Sequence, residues 1–199
     1  QQCGNTELAN VYTERAQNRA DAIRRLMWDA DNGVFTDYLW REGKVTQAIT
    51  AATLYPLFLQ VSSAEQARTV ADLVSSELLQ PGGLATTLVN SGQQWDAPNG
   101  WAPLQWIAVV GLRNYGYDTL AKDIASRWVA GNISVYQQEA KLVEKYDVLN
   151  PGMGGGGEYA TQIGFGWTNG VLLALGSLYP DLKAAAEAAI PNAQVAAAQ

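Results

Sequence analysis

Residues Lys141–Gly170 read KLVEKYDVLNPGMGGGGEYATQIGFGWTNG. The stretch leaves a charged helix end, passes Tyr146 and Asp147, crosses four consecutive glycines, Gly154–Gly157, and runs straight into Glu158-Tyr159. It ends in Gly-Phe-Gly-Trp, Gly164–Trp167, and re-enters an apolar run. Glycine costs backbone entropy and gives close approach and unusual φ in return. A flexible linker is one reading of such a run, but the apolar sequence that follows argues for an ordered loop. It is not a phosphate loop, because no Gly-Lys-Ser/Thr follows and no strand precedes it. Carboxylates and aromatics beside such a loop are what a sugar pocket needs.

The same stretch is the longest of three long connections between helices, and loop length decides the topology. Apolar spacing predicts helix 1 over about 7–29, with Thr6 as its cap. Helix 2, over about 47–60, is apolar nearly all round and carries Pro56, which is expected to kink it. Ser62 and Glu65 form an expected capping box for helix 3, over about 63–79. Helix 4 spans about 102–115 with Pro103 in its first turn, and helix 5 about 117–139 with one apolar face. Helix 6, over about 167–179, is again apolar all round. The domain thus runs over 1–183, and the Ala-rich tail, 184–199, is expected to be frayed because it has little to bury.

Helices 2–3 and 4–5 are joined by a couple of residues. Helices 1–2, 3–4 and 5–6 are joined by about 17 or more, against the usual few. Antiparallel neighbours then put every long loop on one face. Helices 2, 4 and 6 read as buried, and helices 1, 3 and 5 as amphipathic. The expected fold is all-α: about three hairpins of an α/α toroid, with inner and outer helices and a pocket at the long-loop mouth. Three hairpins make an arc rather than a ring, so one apolar side of the inner helices is expected to need a partner.

Composition narrows the chemistry. The chain has 199 residues, 48% of them hydrophobic, a net charge of −6, no His and one Cys. That is enough for one sizeable core. With no Lys/Arg block, nucleic-acid binding is not expected. Without His, imidazole acid–base chemistry and His-ligated zinc are excluded. Cys3 alone forms no internal disulfide and no Cys-based metal site, and reads as an incidental thiol. No cofactor or metal is expected. No apolar run reaches the roughly 18 residues of a membrane span. Gln1-Gln2-Cys3 shows no signal-peptide pattern and is expected to be a mature or internal start.

Chemistry must therefore come from carboxylates, amides and aromatics, and the long loops concentrate them. The first holds Asp37, Tyr38 and Trp40. Trp95, Asp96, Asn99 and Trp101 lie in the second, and Glu144, Tyr146, Asp147, Glu158, Tyr159, Gln162, Phe165 and Trp167 in or beside the third. Glycoside hydrolysis uses two carboxyl groups flanking the scissile bond, set further apart in inverting enzymes to admit a water. The bland alternatives stay open at this level. Asp96 reads equally as a turn-capping carboxylate, Glu144 as a solvated helix-end charge, and most aromatics as core.

Two segments resemble a known family. Gln94-Trp95-Asp96-Ala97-Pro98-Asn99-Gly100-Trp101-Ala102-Pro103 is similar to the trehalase signature Gln-Trp-Asp-x-Pro-x-Gly-Trp-x-Pro. Glu144-Lys145-Tyr146-Asp147, Gly154–Gly157-Glu158-Tyr159, Gln162 and the run from Gly164 to Val171 resemble that family's C-terminal region. The resemblance covers the chain from about residue 10 to residue 180. It implies an α/α toroid that hydrolyses α,α-trehalose to two glucoses with inversion and without a cofactor. It further implies Glu144 as general base and Glu158 as a substrate ligand, with Trp95, Trp101, Asp96, Asn99 and Phe165 lining the pocket. The family's general acid, an Asp in a Gly-Trp-Asp segment, has no counterpart here, and neither do its substrate-clamping arginines. Trp28-Asp29 and Trp95-Asp96 both lack the preceding Gly. The expected partners are thus trehalose or glucose and an N-terminal portion of the enzyme carrying that Asp and those Arg residues. Trehalases of this kind occupy the bacterial periplasm or the cytoplasm; low charge, few Cys and many Gln, Asn and Ala favour the periplasm. Two alternatives remain at this stage: a non-catalytic carbohydrate-binding or scaffold module, and an α/α-toroid glycosidase for another disaccharide.

Overall fold

The computed structural model describes residues 4–189. Cys3 and residues 190–199 of the expected tail lie outside the described residues. Helix α1 (Thr6–Leu26) is capped by Asn5 rather than Thr6: the Asn5 side-chain oxygen accepts from the Leu8 N–H at 2.9 Å. It stops short of the expected 29 because Trp28-Asp29 leave the helix to pair, as β1 (Trp28–Asp29), with β2 (Val34–Phe35). Asp29 holds the intervening turn. Its carboxylate accepts from the Asp31 and Asn32 backbone and, at 2.6 Å, from the Asn32 amide. The Asn32 side-chain bond is the main reason its carboxyl ionises below the usual range. A second hairpin, β3 (Tyr38–Leu39) with β4 (Lys44–Val45), completes the first long loop.

Helix 2 is shorter than its apolar run suggested. A 3-10 turn, Ala51–Leu54, hands over to α2 (Tyr55–Phe58), with Pro56 in the first turn of the α-helix. A proline has no N–H to donate and fits where that donor would be unpaired, so the helix restarts here instead of kinking. The capping box lies one residue beyond the expected pair. Ser63 Oγ accepts from the Gln66 N–H, and Gln66 Oε1 from the Ser63 N–H, at 3.1 and 3.0 Å. It opens α3 (Ala64–Leu73), which continues as a π-turn over Val74–Leu78. The second long loop begins with β5 (Leu79–Gln80) paired to β6 (Gly83–Leu84).

Helix α4 (Ala102–Asn114) is the centre of the molecule. It packs on α2 on one side and α6 (Gly166–Leu178) on the other, with α5 (Asp118–Glu139) behind. Leu54, Leu57, Val70, Leu112, Ile124 and Trp128 are buried in the resulting core. Helix α7 (Pro180–Ala189) packs on α5 and α6, tied by a Lys122–Asp181 ion pair at 2.9 Å and by Gln137 Nε2 donating to the Ala189 carbonyl. It runs helically through the boundary expected between 183 and 184.

The inner row is therefore α2–α4–α6, as expected, but α6 is not buried as expected. Only Thr168 and Leu175 of α6 are buried, and Leu173 is 73% exposed. α6 ends the row, so one flank meets α4 and the other faces outward. Its apolar sequence suits an inner-row neighbour on each flank, and among the described residues the inner row supplies α4 alone.

The three long loops are not separate, which periodicity did not predict. A three-stranded antiparallel ladder joins the second and third: β7 (Asn99–Trp101), β8 (Lys145–Asp147) and β9 (Gly152–Met153). Its register sets Trp101 opposite Lys145 and Gly100 opposite Tyr146. A Thr50–Thr87 bridge joins the first loop to the second. No helix among the described residues is long and apolar enough to cross a membrane.

Candidate active site

The ladder delivers Glu144 and Lys145 to the middle of the joined loops. Both side chains are buried, at 1% and 0% exposure. Glu144 immediately precedes strand β8. Its own N–H donates to the Gln162 carbonyl at 3.0 Å, and its carbonyl accepts from Trp167 Nε1 at 3.3 Å. The residue is thus held from both sides by the segment that follows the glycines. Lys145 Nζ lies 2.5 Å from Glu144 Oε1. Among the described residues, the other carboxylate oxygen, Oε2, has one hydrogen-bond partner, the Tyr159 hydroxyl, which donates from 3.4 Å. Tyr146, next along the strand, is spent on structure. Its hydroxyl accepts from the Val143 N–H at 3.2 Å, and burial pushes its phenol up to about 12.

Four aromatic rings form a cluster that reaches this pair through Trp101 and Trp167. Trp95 and Trp101 stack with centroids 4.0 Å apart and planes at 5°. Trp167 stands edge-on to both, and Phe165 lies 4.8 Å from Trp167. Trp101 is 1% exposed whereas Trp95 is 45% exposed. Trp101, expected to line the pocket, is therefore the buried floor of a stack whose accessible ring is Trp95. Its indole N–H donates to the Gln94 carbonyl at 2.9 Å.

Asn99 and Asp96, both expected at the pocket, are engaged within the loops. The Asn99 amide donates to the Gln94 and Gly155 carbonyls and accepts from the Gly155 N–H. It is buried, with both donors used, so it clamps the glycine run to the second loop and has none left for a sugar. Asp96 accepts from Thr87 Oγ1 at 2.9 Å and from Ser91 Oγ, so each of its oxygens already serves the loop. Glu158 is the reverse: it is exposed and makes no hydrogen bond or ion pair among the described residues. No group of three or more Cys, Asp or Glu side chains among the described residues stands where it would hold a metal ion.

The glycine run is ordered by close packing. A Cβ on Gly154 would lie 2.6 Å from Asn99 Oδ1 and 2.9 Å from the Lys145 carbonyl. At Gly156 φ is +79°, and a Cβ would meet the Gly92 carbonyl oxygen at 2.7 Å. Gly155 faces open space. Gly154→Ala is accordingly expected to lower stability by about 1–3 kcal/mol, the usual cost of overpacking. It also displaces Asn99 and Lys145, whereas Gly155→Ala is close to neutral. Denaturant unfolding of the two variants checks this, and equal midpoints would contradict it.

An inner row of helices, an outer row behind it and three long loops joined on one face define this chain as an arc of an α/α toroid. The chain belongs to the trehalase family, whose model matches residues 1–179. A periplasmic trehalase of Pseudomonas aeruginosa is 55% identical over 169 residues, 84% of this chain and 31% of that protein. A periplasmic trehalase of Citrobacter koseri is 50% identical over 171 residues, 85% of this chain and 30% of the relative. The neutral trehalase Nth1 from Saccharomyces cerevisiae superposes with a TM-score of 0.74 at 32% identity, over 90% of this chain and 32% of that one. A GH63 mannosylglycerate hydrolase from Thermus thermophilus shares the fold, with a TM-score of 0.57 at 24% identity over 76% of this chain and 35% of that one. The chain thus spans about a third of the length of the curated relatives it matches.

Sequence reasoning missed Lys145 and Gln94 as parts of the site. Neighbouring residues in a strand point to opposite faces, but Glu144 precedes β8, which leaves its side chain free to turn to Lys145. The signal that could have found it is a lysine in an otherwise buried strand, since a buried ammonium requires a partner.

Proposed function

We propose that the chain carries the base half of a site that hydrolyses α,α-trehalose with inversion, in an enzyme of the periplasm. Glu144 accepts a proton from the attacking water through Oε2. The water oxygen bonds to the anomeric carbon as the glycosidic bond breaks on the opposite face. A general acid gives its proton to the departing glucose oxygen. That acid, an Asp, comes with the substrate-holding arginines from an N-terminal portion of the enzyme, a reading supported by relatives about three times as long as the stretch they share with this chain. Trp95 offers its exposed indole face to the sugar ring, Phe165 borders it, and Glu158 accepts sugar hydroxyls from the loop rim. Asp96, Asn99 and Trp101 support these groups from behind. No cofactor takes part.

The observation that carries this reading is a buried carboxylate with one oxygen committed to an ammonium and the other held only by a long hydroxyl contact among the described residues, the ammonium lying against Trp101, on which the exposed Trp95 ring stacks. The names of the relatives supply the sugar and the compartment. The test is trehalose hydrolysis by this chain alone and combined with the complementary portion, followed by NMR of the first-formed anomers. Turnover in the combination, with one α- and one β-glucose per trehalose, is the expected result. Trehalose binding without turnover would replace this reading with a carbohydrate-binding module. A preference for another disaccharide would replace the substrate.

A further inference from the structure

Resting on Glu144 as the base, we infer that Lys145 is its positioning residue: its buried ammonium orients the carboxylate and leaves Oε2 as the reacting oxygen. A lysine with no solvent access must find partners for its charge and donors. Nζ donates to Glu144 Oε1 at 2.5 Å and to Gln94 Oε1 at 3.3 Å. It also stands 5.4 Å from the centroid of the Trp101 ring and 4.9 Å from that of Tyr159, both within cation–π range. The cation is thus enclosed by a carboxylate, an amide and two ring faces.

Its anchorage is equally complete. Lys145 pairs with Trp101 across the ladder, and its carbonyl accepts from the Gly154 N–H at 3.1 Å. The two motifs and the glycine run therefore meet on this one residue. An ammonium fixed to a strand on both sides is a fixed electrostatic mark. The carboxylate beside it has one orientation that satisfies both charges, with Oε1 inward. Rotation about the carboxyl bond, which would otherwise exchange the two oxygens, is suppressed. Pre-orientation of this kind acts on the chemical step rather than on sugar binding, because nothing in the arrangement requires Lys145 to touch the sugar.

The test uses the complete enzyme, this chain together with its complementary portion. Lys145→Met is expected to lower kcat about 100-fold, within the range for acid–base groups, with KM changed less than about threefold. Among the described residues, Lys145 and Tyr159 are the titratable side chains in contact with the carboxylate. Losing the cation lets the carboxyl group rotate, so the loss is expected in kcat and not in sugar binding. Lys145→Arg keeps the charge and is expected to recover about tenfold or more of the lost kcat. If Lys145→Met does not accumulate as folded protein, Lys145→Gln carries the same test, because it removes the charge and keeps a donor. An unchanged kcat in Lys145→Met, in an enzyme that Glu144→Gln inactivates, overturns the role of Lys145 alone. Full activity of Glu144→Gln overturns the base assignment instead.

Discussion

Glu144→Gln in the complete enzyme is expected to lower kcat for trehalose by about 10³-fold, the middle of the range for removing a general base. The exchange keeps the shape of the side chain and still offers an oxygen to the Lys145 ammonium, so the fold is expected to persist. It removes the site that takes the proton from water. KM should change little, because the water, and not the sugar, is the ligand of Oε2. A second variant separates chemistry from damage. Glu144→Ala leaves a small cavity beside the ammonium, and azide, an anion that needs no deprotonation, can attack the anomeric carbon in place of water. Restored turnover with formation of β-glucosyl azide is the expected outcome. Absence of azide rescue, with retained folding, would count against Glu144 as the base.

The second large effect separates the two stacked tryptophans. Trp101→Ala is expected to cost about 3–5 kcal/mol, as for other buried indoles. It removes a ring that touches Trp95, Trp167 and the Lys145 ammonium and breaks the bond to the Gln94 carbonyl. Stability and activity should fall together. Trp95→Ala loses the stack, about 0.5–1.5 kcal/mol, and leaves the ladder in place. Its main effect is expected on KM for trehalose, a rise of about fivefold, corresponding to about 1 kcal/mol of apolar contact. Unfolding curves and steady-state kinetics on both variants decide it. A stable Trp101→Ala protein with raised KM and normal kcat would reverse the two roles.

These two results depend on facts of different visibility. Glu144 stands out in the sequence only through the resemblance of Glu144-Lys145-Tyr146-Asp147 to a family segment, and its burial is visible only in the fold. The division between Trp95 and Trp101 was not reached. Both belong to the same signature, and nothing in their local sequence tells a floor from a face. Asn99 shows the same limit: in sequence an amide reads alike whether it holds a sugar or the glycine run, and its bonds to Gly155 appear only in the fold. Helix 2 was over-extended because an apolar run does not reveal where a proline forces the helix to restart. α6 was read as buried because apolar sequence reports the neighbours a helix is fitted to, not those present in an arc.

By itself, the sequence determined the helical periodicity, the alternation of short and long connections, and the absence of His chemistry. Those are properties of composition and of residues a few positions apart, and they suffice to place every long loop on one face. The tertiary structure decided which polar groups are already spent. The Lys145–Gln94 and Asn99–Gly155 bonds join residues 51 and 56 positions apart. The ladder that sets Trp101 against Lys145 has a register that neither strand encodes alone. Whether a carboxylate is a solvated charge or a buried base depends on what covers it, and that cover comes from distant segments brought together only by folding.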